Sequence, residues 1–444
     1  MAQLPICSQS NFNPVVGSKE KIIRVGIFDQ IVSGGGVRLF TLKLLEEFSR
    51  QAGSRWRFHL MWPHFDSSNN FLALPRLRNT TFERIRVGAS VGVRDKFLHR
   101  AYEGFRGMKL SDAKRLSSLK PVQAYEKTLR EEEQQTFRSG TGLGLKWLDD
   151  RAHEFDLIYL PYPYLTLPRD GEWRPRKPLV VTLHDLAHEH TDAWGEITGY
   201  LQSEVRRWAA LANLVIFSST YIQNEAQRIY DLPPERTKRI YLTPPASVGS
   251  YGQSPGVLGR YGIKTDYVFT LGWAAKHKRV ETILEGFALF KRRVDTNLAL
   301  VVAGPLTETL SGGNLHGLEV GRDLMSLGYV RDGDISALYQ NASAVVTASI
   351  SEAGFNSMIF DAMYYEKPII CSNIPQFVER LGTDDRLALT FDPYSPQSLA
   401  DALCKHFGNL KEGGQRTAEA KKFIDSRTLN HVAREYLESF ESVL

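Results

Sequence analysis

The chain has 444 residues, 42% of them hydrophobic and 24% charged, a balance that excludes wholesale disorder and a length that calls for two domains, each with its own interior. A formal charge of +5 falls short of the basic stripe of a nucleic-acid binder and suits anionic substrates or an anionic membrane face. Three scattered cysteines, Cys7, Cys371 and Cys404, exclude a disulfide framework or zinc spacing, and no run approaches the roughly 20 apolar residues of a membrane span.

These features, with no apolar signal run in Met1 to Gly17, predict a cytoplasmic protein, at most peripheral to a membrane. In chain order, short β-branched runs without alternation predict parallel strands covered on both faces. They fall at Ile22 to Phe28, Asp156 to Leu160, Leu179 to Leu183 and Leu214 to Phe217. The second half repeats them at Tyr267 to Leu271, Leu298 to Val302, Ala344 to Thr347 and Pro368 to Cys371. Helical stripes lie between, as at Val37, Phe40, Leu44, Leu45 and Phe48, and at Val280, Ile283, Leu284, Phe287 and Ala288. Such alternation predicts an α/β architecture of two Rossmann-like, doubly wound domains facing across a cleft. The Pro/Gly/Ser-rich stretch from Thr243 to Gly259 marks the boundary, giving domains 1–245 and 246–444. A final helical stretch follows Asp425.

The segment 94–151 breaks the pattern. It carries Lys109, Lys114, Arg115, Lys120, Lys127 and Arg130 before the acidic run Glu131-Glu132-Glu133. It reads as a solvated helical insertion in the first domain, or as a basic surface that docks on anionic lipid or positions a bulky acceptor.

Five segments offer chemistry. Ser33-Gly34-Gly35-Gly36 opens a helix after the first strand, either as a tight turn or as a place where a substrate nears the backbone. Val180-Val181-Thr182-Leu183-His184-Asp185 brings a histidine to a strand end, where it is a ligand or is bonded to Asp185. His184, His188 and His190 lack the spacing of a helical metal site. Lys276 and Lys278 lie beyond the strand ending at Gly272, and a lysine at a loop tip is either solvated or a phosphate partner. Asp332-Gly333-Asp334 begins and caps a helix rather than holding a metal. Finally, Ser349 to Met363 runs from a strand end through a glycine turn into a helix. The unpaired N–H groups of Phe355, Asn356, Ser357 and Met358 there are suited to cradling a phosphate, and Asp361, further along, to accepting from ribose hydroxyls.

Gly354-Phe355, then Asp361-Ala362-Met363, resemble the signature of the retaining GT-B-fold glycosyltransferases of family four, the glycosyl transferases group 1. The similarity runs over about 20–60 and 155–440, and its motifs are specific in the second half. It departs at two points: the first acid of the signature is Ala353 here, with Glu352 one residue early, and the arginine expected after Gly272 is Trp273. The resemblance implies that the final helix returns toward the first domain. It implies diphosphate binding by Lys278, with Lys276 in place of the absent arginine, and donor-sugar contacts from Glu352 and His184. It also implies that Gly35 and Gly36 line the cleft near the donor phosphate and acceptor. The implied activity is transfer, with retention, of a hexosyl-type sugar from a nucleotide-diphosphate sugar to a glycan or lipid-linked glycan hydroxyl. It needs no metal or other cofactor. A nucleotide-sugar epimerase of the same fold, or an inactive glycan- or partner-binding relative, are the alternatives.

Overall fold

A computed structural model describes residues 21–28, 36–51, 53, 55–64, 77–86, 148–163, 173–190, 198–243, 256–271, 276–304, 314–328, 330–354 and 356–444. The insertion up to residue 147, Gly35 and Phe355 lie outside the described residues, as does most of the boundary stretch.

Two parallel sheets organise the chain. The first is built by β1 (Ile23–Phe28), α1 (Gly36–Gln51), β2 (Trp56–His64), β3 (Thr80–Arg86), β4 (Leu157–Leu160) and β5 (Leu179–Leu183). It continues with α2 (Ala187–His190), α3 (Thr198–Leu211), β6 (Leu214–Phe217), α4 (Thr220–Tyr230) and β7 (Thr237–Arg239). Its strand order is β3-β2-β1-β4-β5-β6-β7. Every residue of β4, β5 and β6 is buried, so these strands read as continuous apolar runs. The strands that the sequence left unmarked, β2, β3 and β7, are at or next to the sheet edges. In β2, Trp56, Phe58 and Leu60 are buried while Arg57 is exposed, so the run is interrupted by polar residues.

The second sheet follows α5 (Val257–Arg260) with β8 (Tyr267–Leu271), α6 (Val280–Arg293), β9 (Ala299–Ala303), the ribbon β10 (Asn314–Leu315) and β11 (Leu318–Glu319), and β12 (Leu324–Gly328). Then come α7 (Asp332–Asn341), β13 (Ala344–Thr347), α8 (Ser357–Tyr364), β14 (Ile369–Ser372), α9 (Pro375–Leu381) and β15 (Leu389–Phe391). The order is β12-β9-β8-β13-β14-β15. The chain ends in α10 (Pro396–Gly408), α11 (Leu410–Asp425) and α12 (Leu429–Glu441). Among the described residues no helix is long and apolar enough to cross a membrane.

The helical stripes are the packing faces. Phe40, Leu44, Leu45 and Phe48 of α1 are buried, as are all five stripe residues of α6. Helix α6 lies so close to α10 that a Cβ on Gly286 would stand 2.7 Å from the Leu399 side chain. One reading is corrected: the acidic turn begins α7 but does not cap it. Arg331 holds the N-cap position without a side-chain bond, and Asp334 is turned inward to accept from Arg260 (2.6 Å) and Tyr261 (3.0 Å).

The chain passes between the sheets twice. It leaves the first after Ile240 and comes back at Arg427, where the crossings are tied by Thr243 Oγ1 donating to Arg427 O (2.6 Å) and Arg427 Nε donating to Tyr241 O (3.3 Å). Helix α12 then lays Leu429, Val432, Ala433, Tyr436 and Phe440 into the core of α1, β1 and β2. The Tyr436 hydroxyl meets Thr182 Oγ1 (3.2 Å), which meets the Tyr159 hydroxyl (2.9 Å). The last helix therefore belongs structurally to the first sheet.

Candidate functional site

The site lies where the C-terminal ends of β5, β6, β8 and β13 meet. In a parallel sheet, loops and helix N-termini collect at that end, so donors and charges from separate strands converge. Here both sheets contribute.

From the second sheet, β13 leads into a bend at Ser349 to Gly354 and then into α8. Gly354 has φ of +63°, and its N–H donates to Glu352 O (3.1 Å). A Cβ at this position would lie 2.8 Å from Ser218 O, at the end of β6. Glycine is demanded twice, by backbone conformation and by the neighbouring domain. Asn356 caps α8, accepting from Ile359 N (3.0 Å), and its Nδ2 donates to Glu352 Oε1 (3.2 Å) and Thr347 Oγ1 (3.3 Å). Asn356 is thus committed to the helix start and to Glu352. The N–H groups of Ser357 and Met358 remain at the open helix end; the Ser357 side chain is exposed and that of Met358 buried.

Lys278 ends a 3-10 turn, Lys276–Lys278, after β8. Its Nζ forms an ion pair with Glu352. His277 O accepts from Ile350 N (2.9 Å), which ties the lysine turn to the bend. Lys276 is exposed at the other end of the turn. Burial raises the Glu352 carboxyl, but Lys278, with Ser349 and Asn356, more than offsets this and holds it below its ordinary range. The next residue, Arg279, has φ of +47°, and its guanidinium lies 5.0 Å from the Tyr394 ring centroid.

From the first sheet comes His184, buried at the end of β5. It is edge-on to Phe40 (5.7 Å between centroids) and stacked on Tyr162 (6.4 Å). Burial pushes its pKa down to about 4, so the ring is neutral near pH 7. Neither ring nitrogen has a hydrogen-bond partner among the described residues. The alternative of a bond to Asp185 is not realised: the Asp185 carboxylate accepts from Ala187 N (3.0 Å). His188 instead meets the Tyr230 hydroxyl (2.8 Å), and His190 pairs with Glu225 (2.9 Å).

Asp185 is the residue that sequence reasoning passed over. Burial raises its carboxyl, Glu352 raises it further, and His277 and Lys278 pull it down. Three of the groups acting on it belong to the second sheet, so acids and cations of both domains share one field. The only signal in the sequence was its place beside His184.

The structure therefore gathers His184, Asp185, Lys278, Glu352, Gly354, Asn356 and the start of α8. Gly36 opens α1. Asp361 stands apart from the ion pair: burial pushes its pKa up to about 7, against a lowering contribution from its hydrogen bond with the buried Tyr339 hydroxyl of α7. A neutral imidazole, an ion pair able to exchange partners, and a free helix start can bind a polyhydroxylated, anionic ligand.

Comparison with known proteins agrees with this architecture. Residues 261–421 match the family model of the glycosyl transferases group 1, and residues 139–242 that of Glycosyltransferase Family 4. The chain is similar to the O-antigen chain mannosyltransferase B of Escherichia coli, 26% identical over 220 residues, which span 47% of this chain and 54% of that protein, about half its length. In three dimensions it resembles Anabaena HepE in complex with UDP-glucose, with a TM-score of 0.61, 19% identity, and 94% of this chain and 100% of that chain covered. Sucrose-phosphate synthase from Thermosynechococcus elongatus gives a TM-score of 0.63, 14% identity, and coverage of 95% and 98%. The two solved structures speak for the fold. With matching models in both halves and paired parallel sheets, the chain is similar to the glycosyl transferases group 1 and has the GT-B fold.

Proposed function

We propose that this protein transfers a hexosyl-type sugar from a nucleotide-diphosphate sugar to a hydroxyl of a glycan or lipid-linked glycan, with retention at the anomeric carbon. The observation that carries this reading is the Lys278–Glu352 ion pair beside the Gly354 turn and the start of α8. The diphosphate takes Lys278 and the N–H groups of Ser357 and Met358, with Phe355 and Lys276 completing the phosphate contacts. Glu352, relieved of its partner, turns to the donor-sugar hydroxyls. His184, neutral, bonds the sugar near the reacting carbon. Asp361 accepts from ribose, while Gly35 and Gly36 shape the acceptor side.

Chemistry on this arrangement is a front-face displacement. The bond from the anomeric carbon to phosphate loosens, its electron pair going to the diphosphate, which Lys278 and the helix start stabilise. The acceptor hydroxyl attacks from the same face and gives its proton to a phosphate oxygen. Fixed donors and orientation supply the rate. Cationic and amide groups neutralise the leaving group, so the scheme calls on no metal. The E. coli mannosyltransferase relative and the HepE complex with UDP-glucose support a nucleotide-sugar donor and a glycan acceptor. An anionic membrane would hold the acceptor close if that acceptor is lipid-linked.

Incubation with labelled UDP-, GDP- and dTDP-sugars tests the reading. Transfer to a glycan acceptor, or slow donor hydrolysis without one, with the anomeric centre retained by NMR, is expected. Sugar isomerisation without transfer, or binding without turnover, overturns it.

A further inference from the structure

Helix α4 follows β6 in the first domain, and its N-terminus is closed by a residue of the other domain. Ser219 caps α4 from within, its Oγ accepting from Ile222 N (3.1 Å). The N–H groups of Thr220 and Tyr221 lie beyond its reach. They donate to the two oxygens of Glu379 on α9, at 2.7 and 2.8 Å. The Tyr241 hydroxyl donates to the same carboxylate (2.6 Å). Burial raises this carboxyl, and these donors more than compensate. Tyr241 lies where the chain leaves the first domain, with the Arg239 and Arg380 guanidiniums 4.0 and 4.7 Å from its ring centroid. Arg380 also donates to Leu242 O (2.8 Å).

This cap reaches the candidate site through one short lever. Ser218 immediately precedes the capped turn. Its carbonyl is the atom that excludes a Cβ from Gly354, and its Oγ donates to His184 O (2.6 Å). Moving α4 against α9 moves Ser218 against the glycine turn and shifts the strand end that carries His184. The chemistry of the contact also suits reversal. A carboxylate and two N–H groups regain water when they part, so breaking these hydrogen bonds costs far less in water than their strength in isolation. An apolar interface would have to expose its whole area to open.

We propose that Glu379 is a latch between the domains: a positioning residue that holds the cleft closed and sets Ser218 and His184 against the Gly354 turn. Its effect on catalysis rests on the donor-site reading of that turn; its effect on domain closure does not.

The test joins two measurements on the full chain. In Glu379→Gln, of nearly equal size, an amide NH2 faces a backbone N–H; in Glu379→Ala the cap is gone. Small-angle X-ray scattering without substrate is expected to give a larger radius of gyration for both variants than for wild type. Kinetics are expected to show KM for the nucleotide sugar rising about five- to tenfold with a smaller change in kcat, since affinity falls with the closed fraction. Damage confined to stability would lower active protein and kcat while KM stayed put. Tyr241→Phe removes one of the three bonds and is expected to move scattering and KM the same way by less; it decides the matter should Glu379 variants fail to fold. Wild-type scattering in the folded variants overturns the latch, and wild-type KM overturns its positioning role. A larger radius in a protein that turns over no nucleotide sugar leaves the latch standing and sinks the transferase reading instead.

Discussion

At the scale of single residues, the site is an exchange of partners waiting for a ligand. Lys278 is bonded to Glu352 in the free protein, so a diphosphate must displace a carboxylate to reach it. Replacing Lys278 with alanine is expected to lower transfer at least about tenfold, the scale of one lost charged contact. It should also weaken UDP binding by calorimetry, and unchanged turnover removes its role. Asp361 gives a pH signature. A carboxyl that titrates near pH 7 folded and near 3.9 unfolded binds more protons in the folded state through that interval, so its contribution to stability falls as pH rises from about 4 to about 7. Asp361→Asn should abolish that fall. Chemical denaturation at pH 5 and 8 is expected to show the variant gaining on wild type at the higher pH. The pairing of Lys278 with Glu352 was readable from neither residue alone, because 74 positions separate them. The roles expected of His184 and Lys278 came through family resemblance, and the strand-end position of His184 was legible because it follows the apolar run Leu179 to Leu183. Asp185 and Glu379 were not: their significance comes from the domain across the gap, and no local pattern encodes a partner on another sheet.

At the scale of elements, glycines mark where segments press on one another. Gly354 joins a left-handed backbone to a backbone contact, so Gly354→Ala carries a strain of order 1–3 kcal/mol as well as a clash. UDP affinity is expected to drop about tenfold or more while far-UV circular dichroism is retained. Gly286 differs: it sits in a regular helix, and the obstruction is Leu399 of α10. Gly286→Ala overpacks that contact and should cost about 1–3 kcal/mol, read as a lower melting temperature with unchanged UDP binding. The doubly covered strands were recognisable in the sequence because burial on both faces leaves no charged residue in runs such as β4, β5 and β6. Edge strands such as β3 and β12 lack that cover and gave no such run; for β12 only Leu324 and Gly328 are buried. The acidic turn before α7 looked like a cap, yet Asp334 is used by Arg260 and Tyr261, a long-range pairing that local capping rules do not contain.

At the scale of the molecule, the two sheets are joined by paired crossings and by a helix that returns. Ending the chain at Arg427 would strip Leu429, Val432, Tyr436 and Phe440 from the first core. Each large apolar side chain so exposed forfeits about 1.5–3 kcal/mol. Calorimetry of the truncated chain should show the first domain's transition lost or strongly lowered, and the second domain's largely kept; a single unchanged transition would falsify this division of stability. The two-domain α/β plan was legible in the strand–helix alternation. The return of the last helix came only through family resemblance, since an amphipathic helix does not say which core it will join.

That returning helix also has a consequence for biosynthesis. A ribosome releases residues up to 240 well before α12 exists, yet the face of α1 carrying Phe40, Leu44 and Phe48 is completed only by Leu429 to Phe440. The earlier-made half must wait with an open apolar face while the later-made half, whose core needs none of its neighbour's helices, can fold at once. Nascent chains stalled before residue 429 is made should therefore be most vulnerable to protease, and most in need of a chaperone, in the segment that carries α1.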